Sequence, residues 1–256
     1  MTHPITQTLQ RGRHRRHGLC DLELPTAADG HGWTSVAALA ADTELLRTLL
    51  NTIGAAIGSD RSDVQASLFL ENYTWRLVLP LAGALVAEQR VALPTAGDLR
   101  LRPSTGHTVR LQMSPARFAA LPSDSASAHR DAILTTTHAD LVEHFRRLLV
   151  DHFATVIGAL QSISVRAERA LWRTVCDRTA TALLYAGLAS DRQDSAERLA
   201  HAILSGSPPL DRAPRYADLR VDERASRVHL RHGCCLWWRI AAAAHCATCP
   251  IRCQAR

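Results

Sequence analysis

The sequence predicts an α+β protein that is predominantly α-helical: a helical body, a short β-hairpin, and a cysteine-rich C-terminal segment. Three observations predict it. Apolar residues recur at three- and four-residue spacing through most of residues 33–204, as a helix needs to bury one face. Residues 97–113 instead alternate apolar and polar, as a half-buried strand pair does. Five of the seven cysteines fall between positions 234 and 253.

The elements follow in chain order. Residues 1–32 read as a basic, flexible tail; RGRHRRHGLC at 11–20 is basic, but no apolar stretch follows it, so it fails as a secretory signal. The body spans 33–212. WTSVAALAADTELLRTLLNTIGAAI, 33–57, reads as one or two helices carrying Leu45, Leu46, Leu49, Leu50 and Ile53 on one side. Residues 63–90 read as a second helical region, with Asp63 as N-cap and Pro80 as a kink or division. In the hairpin, Leu99 and Leu101 face Val109, Leu111 and Met113 across the turn PSTGH. Residues 114–128 form a Pro- and Ser-rich connection, and 129–161 a long helix with Leu134, Leu141, Phe145, Leu148, Leu149, Val156 and Leu160 in one stripe. On its other face Asp140, Glu143, His144, Arg147 and Asp151 read as a solvated, charge-paired surface. Helices follow at 166–188 and about 194–204; Cys176 shares a face with Trp172, Thr179 and Leu183 and reads as core. Residues 213–256 form the cysteine segment, entered through an extended SRVHL.

Composition narrows the function. The net charge of +6 comes from arginine alone, because the chain has no lysine. That excludes lysine Schiff-base chemistry and a P-loop, and a basic chain suits anionic partners. No apolar run is long enough to span a membrane, so the expected location is the cytoplasm, with at most peripheral contact at the membrane's inner face. In that compartment clustered cysteines point to metal binding or catalysis rather than disulfides.

The cysteine spacing is specific. Cys234 and Cys235 are adjacent, ten residues separate them from Cys246, and two residues separate Cys246 from Cys249. A two-residue spacer lets two thiolates turn toward one metal centre, of zinc or of iron and sulfide. The doublet discriminates further. Zinc sites pair chelating loops with two to four residues between ligands. Adjacent Cα atoms sit only about 3.8 Å apart, so a vicinal disulfide is a poor staple. Two neighbouring thiolates do suit a centre with two metal ions, such as a 2Fe-2S cluster with four cysteine positions.

These residues resemble the FhuF-type ferric-siderophore reductases, whose hallmark is a C-terminal Cys-Cys, ten residues, Cys, two residues, Cys. The match falls on Cys234, Cys235, Cys246 and Cys249, with Leu236-Trp237-Trp238-Arg239 after the doublet and Pro250 after the last cysteine. SLFLENYTWRLVLPLAGAL and ALWRTVCDRTATALL extend the resemblance over about residues 63–256. It implies that the four cysteines hold a 2Fe-2S cluster that passes one electron to a bound ferric siderophore, of the hydroxamate type, and so releases ferrous iron. It also implies a separate electron-donor protein, since the chain shows no nucleotide-binding glycine fingerprint. Arg231, Trp237, Trp238, Arg239 and His245 are candidates for substrate contact or cluster tuning, and His232 and His245 for proton supply. Arg227 and Arg252 add to the positive charge around the segment. Cys253 departs from the pattern and is expected to be a non-ligand.

Two other classes stay open. An iron–sulfur electron-transfer or iron-sensing protein would use the same cluster without a siderophore. A zinc-binding nucleic-acid module would suit the basic charge, but the aromatics do not interleave with basic residues and the doublet fits no familiar finger.

Overall fold

The computed structural model describes residues 2–14, 22–25, 32–221, 224–240 and 244–253. Cys20, the rest of the basic stretch beyond residue 14, and the side chains of Arg252 and Cys253 lie outside the described residues.

The core is organised by helix α4, Ser62–Glu88, which is buried on every side along most of its 27 residues. A helix apolar all round cannot sit at a surface. Here it packs mainly on α6 (Glu168–Ala189) and α3 (Thr43–Ile57), and its Tyr73 meets His152 and Phe153 of α5 (His138–Gln161). The helix runs unbroken through Pro80 rather than dividing there, because tight packing on both flanks holds it. Asp63 is not its N-cap: Arg61 occupies that position, and Asp63 lies in the first turn, where it accepts from the Val64 N–H and pairs with Arg61 and Arg239.

Residues 33–57 resolve into α2 (Val36–Ala41) and α3, divided at Asp42, whose carboxylate accepts from the Glu44 and Leu45 N–H groups. Gly58 ends α3 at φ 65°, the left-handed position glycine fills without strain. The hairpin is present as β3 (Leu99–Pro103) and β4 (Val109–Met113), antiparallel, with Leu101 opposite Leu111. The two-residue β1 (Thr34–Ser35) extends it.

Three expectations change. Residues 4–13, placed in a flexible tail, form α1 (Pro4–Arg13), with Ile5 and Leu9 buried against α4 and Arg11 bound to Glu88. An amphipathic turn with a basic outer face looks like a tail until a partner surface is known. Residues 129–137 are not helical. Thr137 and Asp140 form a capping box that starts α5 at His138, and Leu134 lies in β6 (Ala132–Leu134), 57 % exposed. The connection at 114–128 contains β5 (Phe118–Ala120), which joins β6 and β2 (Arg90–Ala92) in a second small sheet. Helix α7 (Gln193–Leu204) packs on α6, and β7 (Tyr216–Val221) and β8 (Arg224–His229) form a hairpin that β8 lays against α6.

One buried pair carries a pH signature. His152 on α5 is hydrogen-bonded to the Tyr73 hydroxyl on α4 at 2.6 Å, and burial lowers its pKa to about 4. The folded protein therefore keeps His152 neutral, whereas the unfolded chain protonates it near 6.5. The unfolded state then binds more protons between those values. Stability is full above pH 6.5 and falls toward pH 4, by about 1.4 kcal/mol per unit. Urea unfolding of wild type and His152→Gln at pH 7.5, 6 and 5 checks this: the gap between the two proteins is expected to change in the variant's favour as pH falls.

Candidate metal centre

The segment that carries the cysteine doublet is tied to α6 by one carboxylate. Asp177, 1 % exposed, accepts hydrogen bonds from the His232 and Gly233 N–H groups and from His229 Nε2, each at 2.9 Å. The Arg215 N–H points at His229 Nδ1, so Nδ1 accepts and Nε2 carries the proton given to Asp177. Burial alone would raise the Asp177 pKa; the hydrogen bonds from His229 and His232 outweigh it and hold the carboxyl below its ordinary range. Gly233 is needed for close approach, because a Cβ there would lie 3.0 Å from Arg173 Cβ and 3.4 Å from Asp177 Oδ2.

Beyond Gly233 the chain turns back on itself. Arg166 donates to the Cys234 carbonyl at 2.7 Å. Leu236 adopts φ 63°, a left-handed conformation that costs a non-glycine residue about 1 kcal/mol. Its side chain compensates by packing against Val64 and Leu68 of α4. The turn aims two backbone donors at sulfur: Leu236 N–H at Cys234 Sγ, 3.4 Å away, and Trp237 N–H at Cys235. Such donors stabilise thiolate over thiol.

The two halves of the motif meet. The Cys235 and Cys246 thiols line one recess and act directly on each other. That interaction, helped by the nearby Arg231 and Arg178 guanidiniums, holds Cys235 below its ordinary value against the opposing effect of burial, and it pushes Cys246 up. Cys249 is 2 % exposed, and its N–H closes the Cys246–Cys249 turn on the Cys246 carbonyl at 3.0 Å. Cys234 is half-buried, and all four are free thiols.

Around them stands a charged frame that spacing alone did not reveal. Glu71 of α4, 4 % exposed, is gripped by Arg178 of α6 and by Arg231. Arg178 also lies over the Trp75 ring. Cys235, Cys246, Glu71, Arg178 and Arg231 line a recess of about 310 Å³ that Asn72, His107 and Trp237 complete. His107 comes from the turn of the β3–β4 hairpin and packs on Trp237 with ring centres 5.0 Å apart; burial lowers its pKa. Asn72 fixes that hairpin by accepting from the Val109 N–H at 2.8 Å.

The other candidates divide. Arg231 and Trp237 line the recess. Trp238 faces outward, 38 % exposed, stacked on His245 and covered by Arg239. Arg239 reaches away to Asp63 at 3.0 Å. His232 is bound to Asp177, and Arg227 is engaged by Glu197 and Asp218. Cys176 is a core thiol, 1 % exposed. Glu71 could have been noticed in sequence as the lone carboxylate inside SLFLENY; Arg178, Asn72 and His107 carried no such mark.

Fold and site together define a mostly helical α+β protein with a cysteine-lined, arginine-walled recess. Residues 67–228, more than half the chain, match the family described as "Ferric iron reductase FhuF-like transporter", and the chain belongs to this FhuF-like ferric iron reductase family. The matched span ends before Cys234. No curated protein matches the chain. Among solved structures it is similar to the aerobactin synthetase IucA from a hypervirulent pathotype of Klebsiella pneumoniae, at 16 % identity and a TM-score of 0.49. The ATP-bound form of that synthetase gives 14 % and 0.48. Each comparison covers 64 % of this chain but only 31 % of the synthetase, so the chain spans about a third of its length. Among the described residues no helix is long and apolar enough to cross a membrane.

Proposed function

We propose that the chain is a siderophore-iron reductase in which Cys234, Cys235, Cys246 and Cys249 hold a 2Fe-2S cluster. When bound, that cluster supplies electrons one at a time. The observation that carries the reading is the meeting of Cys235 and Cys246, from the two halves of the motif, at the wall of an open recess.

The residues fit the group. Four unoxidised thiols, two with backbone N–H groups aimed at sulfur, are a donor set for iron and sulfide. Arg231 and Arg178 place positive charge beside Cys235, which favours the electron-rich state of such a centre. At the recess, Asn72 and Arg178 offer hydrogen-bond donors to the oxygen-rich face of a ferric chelate, and Trp237 offers a flat apolar wall. The volume is at the low end for ligand pockets, which suits a chelate presented edge-on rather than engulfed. A hydroxamate-type siderophore holds ferrous iron weakly, so reduction by one electron releases the metal. The release takes place in the cytoplasm, with electrons from a separate donor protein.

Anaerobic purification tests this. The protein is expected to be red-brown, with about two irons and two sulfides per chain. Its reduced form is expected to lose its EPR signal when ferrioxamine B is added in a stopped-flow experiment. A colourless, zinc-loaded protein would overturn the cluster assignment. A coloured protein inert to ferric siderophores would favour electron transfer or iron sensing instead.

A further inference from the structure

A second concavity, of about 350 Å³, lies on the other side of α6. Arg169 and Arg173 on α6 and Arg212 after α7 ring it, with Glu168 and Asp211 also at its edge. Trp172, 7 % exposed, and Pro209 form an apolar floor. Glu168 accepts from Trp172 Nε1 at 3.3 Å and Asp211 pairs with Arg212 at 3.5 Å, so the rim carries three arginines against two carboxylates. Arg173 is left over. Its Nε is shielded from solvent and has no hydrogen-bond partner. Arg169 stands one helical turn before it, so two like charges sit at the spacing that repels rather than pairs.

A shielded guanidinium nitrogen without a partner is unfavourable, and the like-charged neighbour adds to the strain on this pair. An external anion would relieve the like-charge repulsion. The position gives that anion a purpose. Arg173 packs on Gly233, the residue directly before Cys234, and Arg166, two residues before α6 begins, holds the Cys234 carbonyl. Cys234 is the less buried member of the doublet. Arg178, which lines the cysteine recess, is nine residues from Arg169, about two and a half turns, and so points to the opposite side of the helix.

We propose that this arginine-ringed cup is the docking site for the acidic face of a protein electron carrier. Electrons enter on the Cys234 side, while the Cys235–Cys246 side is left free for the ferric chelate. The proposal rests on the cluster reading above. The step is a single-electron transfer: the reduced carrier is oxidised, and the protein's centre is reduced. The carrier's carboxylates pair with Arg169 and Arg173, and desolvation of these pairs over Trp172 and Pro209 fixes its orientation.

Stopped-flow reduction of the oxidised protein by two probes of opposite charge tests it. The probes are a reduced acidic ferredoxin and the reduced methyl viologen radical cation. Wild type is expected to accept electrons from both, with the ferredoxin rate falling as salt rises. In Arg169→Glu/Arg173→Glu the ferredoxin rate constant is expected to fall by about tenfold or more, while the viologen rate holds or rises and the visible spectrum is unchanged. An unchanged ferredoxin rate overturns the proposal. So does an equal fall with both probes in the milder Arg169→Gln/Arg173→Gln, where an intermediate ferredoxin rate and an unchanged viologen rate are expected, because losing a docking charge cannot slow a cationic probe. A wild-type protein that accepts electrons from neither probe overturns the cluster reading and this one with it.

Discussion

Cys235→Ala is expected to yield a folded but colourless protein, its iron and sulfide content reduced by at least ~tenfold. Three features make Cys235 the most sensitive of the four. It is buried, two guanidiniums favour its thiolate, and it is the point where the doublet meets the distal turn. Losing its sulfur removes a proposed ligand and also leaves Cys246 without its neighbour in the recess. Folding should survive, because Cys235 belongs to neither apolar cluster of the core, and its neighbours Cys234 and Leu236 pack with Val64 and Leu68 in a small cluster separate from the body's core. Two controls make the result specific. Cys176→Ala removes a thiol that burial has pushed up to about 12, deep in the core and distant in role, and should keep full colour. Cys253→Ala should also keep full colour if four cysteines suffice. Iron and acid-labile sulfide assays beside circular dichroism decide the matter. A red-brown Cys235→Ala protein with unchanged EPR would remove Cys235 from the ligand set.

The sequence was most legible where one local rule acts alone. The β3–β4 hairpin follows from strict alternation around a turn, and α6 and α7 from helical periodicity, and all three lie where expected. Legibility failed where long-range contacts decide. The α1 residues Ile5 and Leu9 have meaning only against α4, a segment some eighty positions away in numbering. The strands β2, β5 and β6 are three residues each, too short for alternation to register. At the site the division is similar. Chelating spacing marks the four cysteines as the proposed ligands, because such residues on one loop are close in sequence. Glu71, Arg178 and Arg231 form one unit through hydrogen bonds spanning 107 and 160 positions, and no local pattern encodes that. The same applies to His107, which reaches Trp237 only because the hairpin folds over α4.

That unit gives the second large effect. Glu71→Gln is expected to destabilise the protein by about 3 kcal/mol or more, because it breaks a buried charge network by removing one partner. Glu71 is the common acceptor for Arg231, 8 % exposed, and for Arg178. A glutamine offers one oxygen where two guanidiniums had two, and it leaves their charge uncompensated. Arg178 is partly exposed and can turn to solvent; Arg231 cannot, so the cost falls on the segment leading to Gly233 and Cys234. The variant should therefore lose stability and cluster occupancy together. Glu71→Leu/Arg231→Leu separates the two effects. Removing both buried charges restores most of the stability, since apolar replacements of a whole buried pair are often neutral or better. The double variant removes the positive charge of Arg231 together with the negative charge of Glu71 and leaves Arg178, so the net charge of the frame is unchanged and any cluster retained should keep a potential close to that of wild type. Urea unfolding and spectroelectrochemical titration give the two readouts. Wild-type stability in Glu71→Gln would show that the carboxylate is not the keystone of this network. A large fall of the potential in the double variant would show that Arg231 acts on the centre through its own position and not through the net charge of the frame.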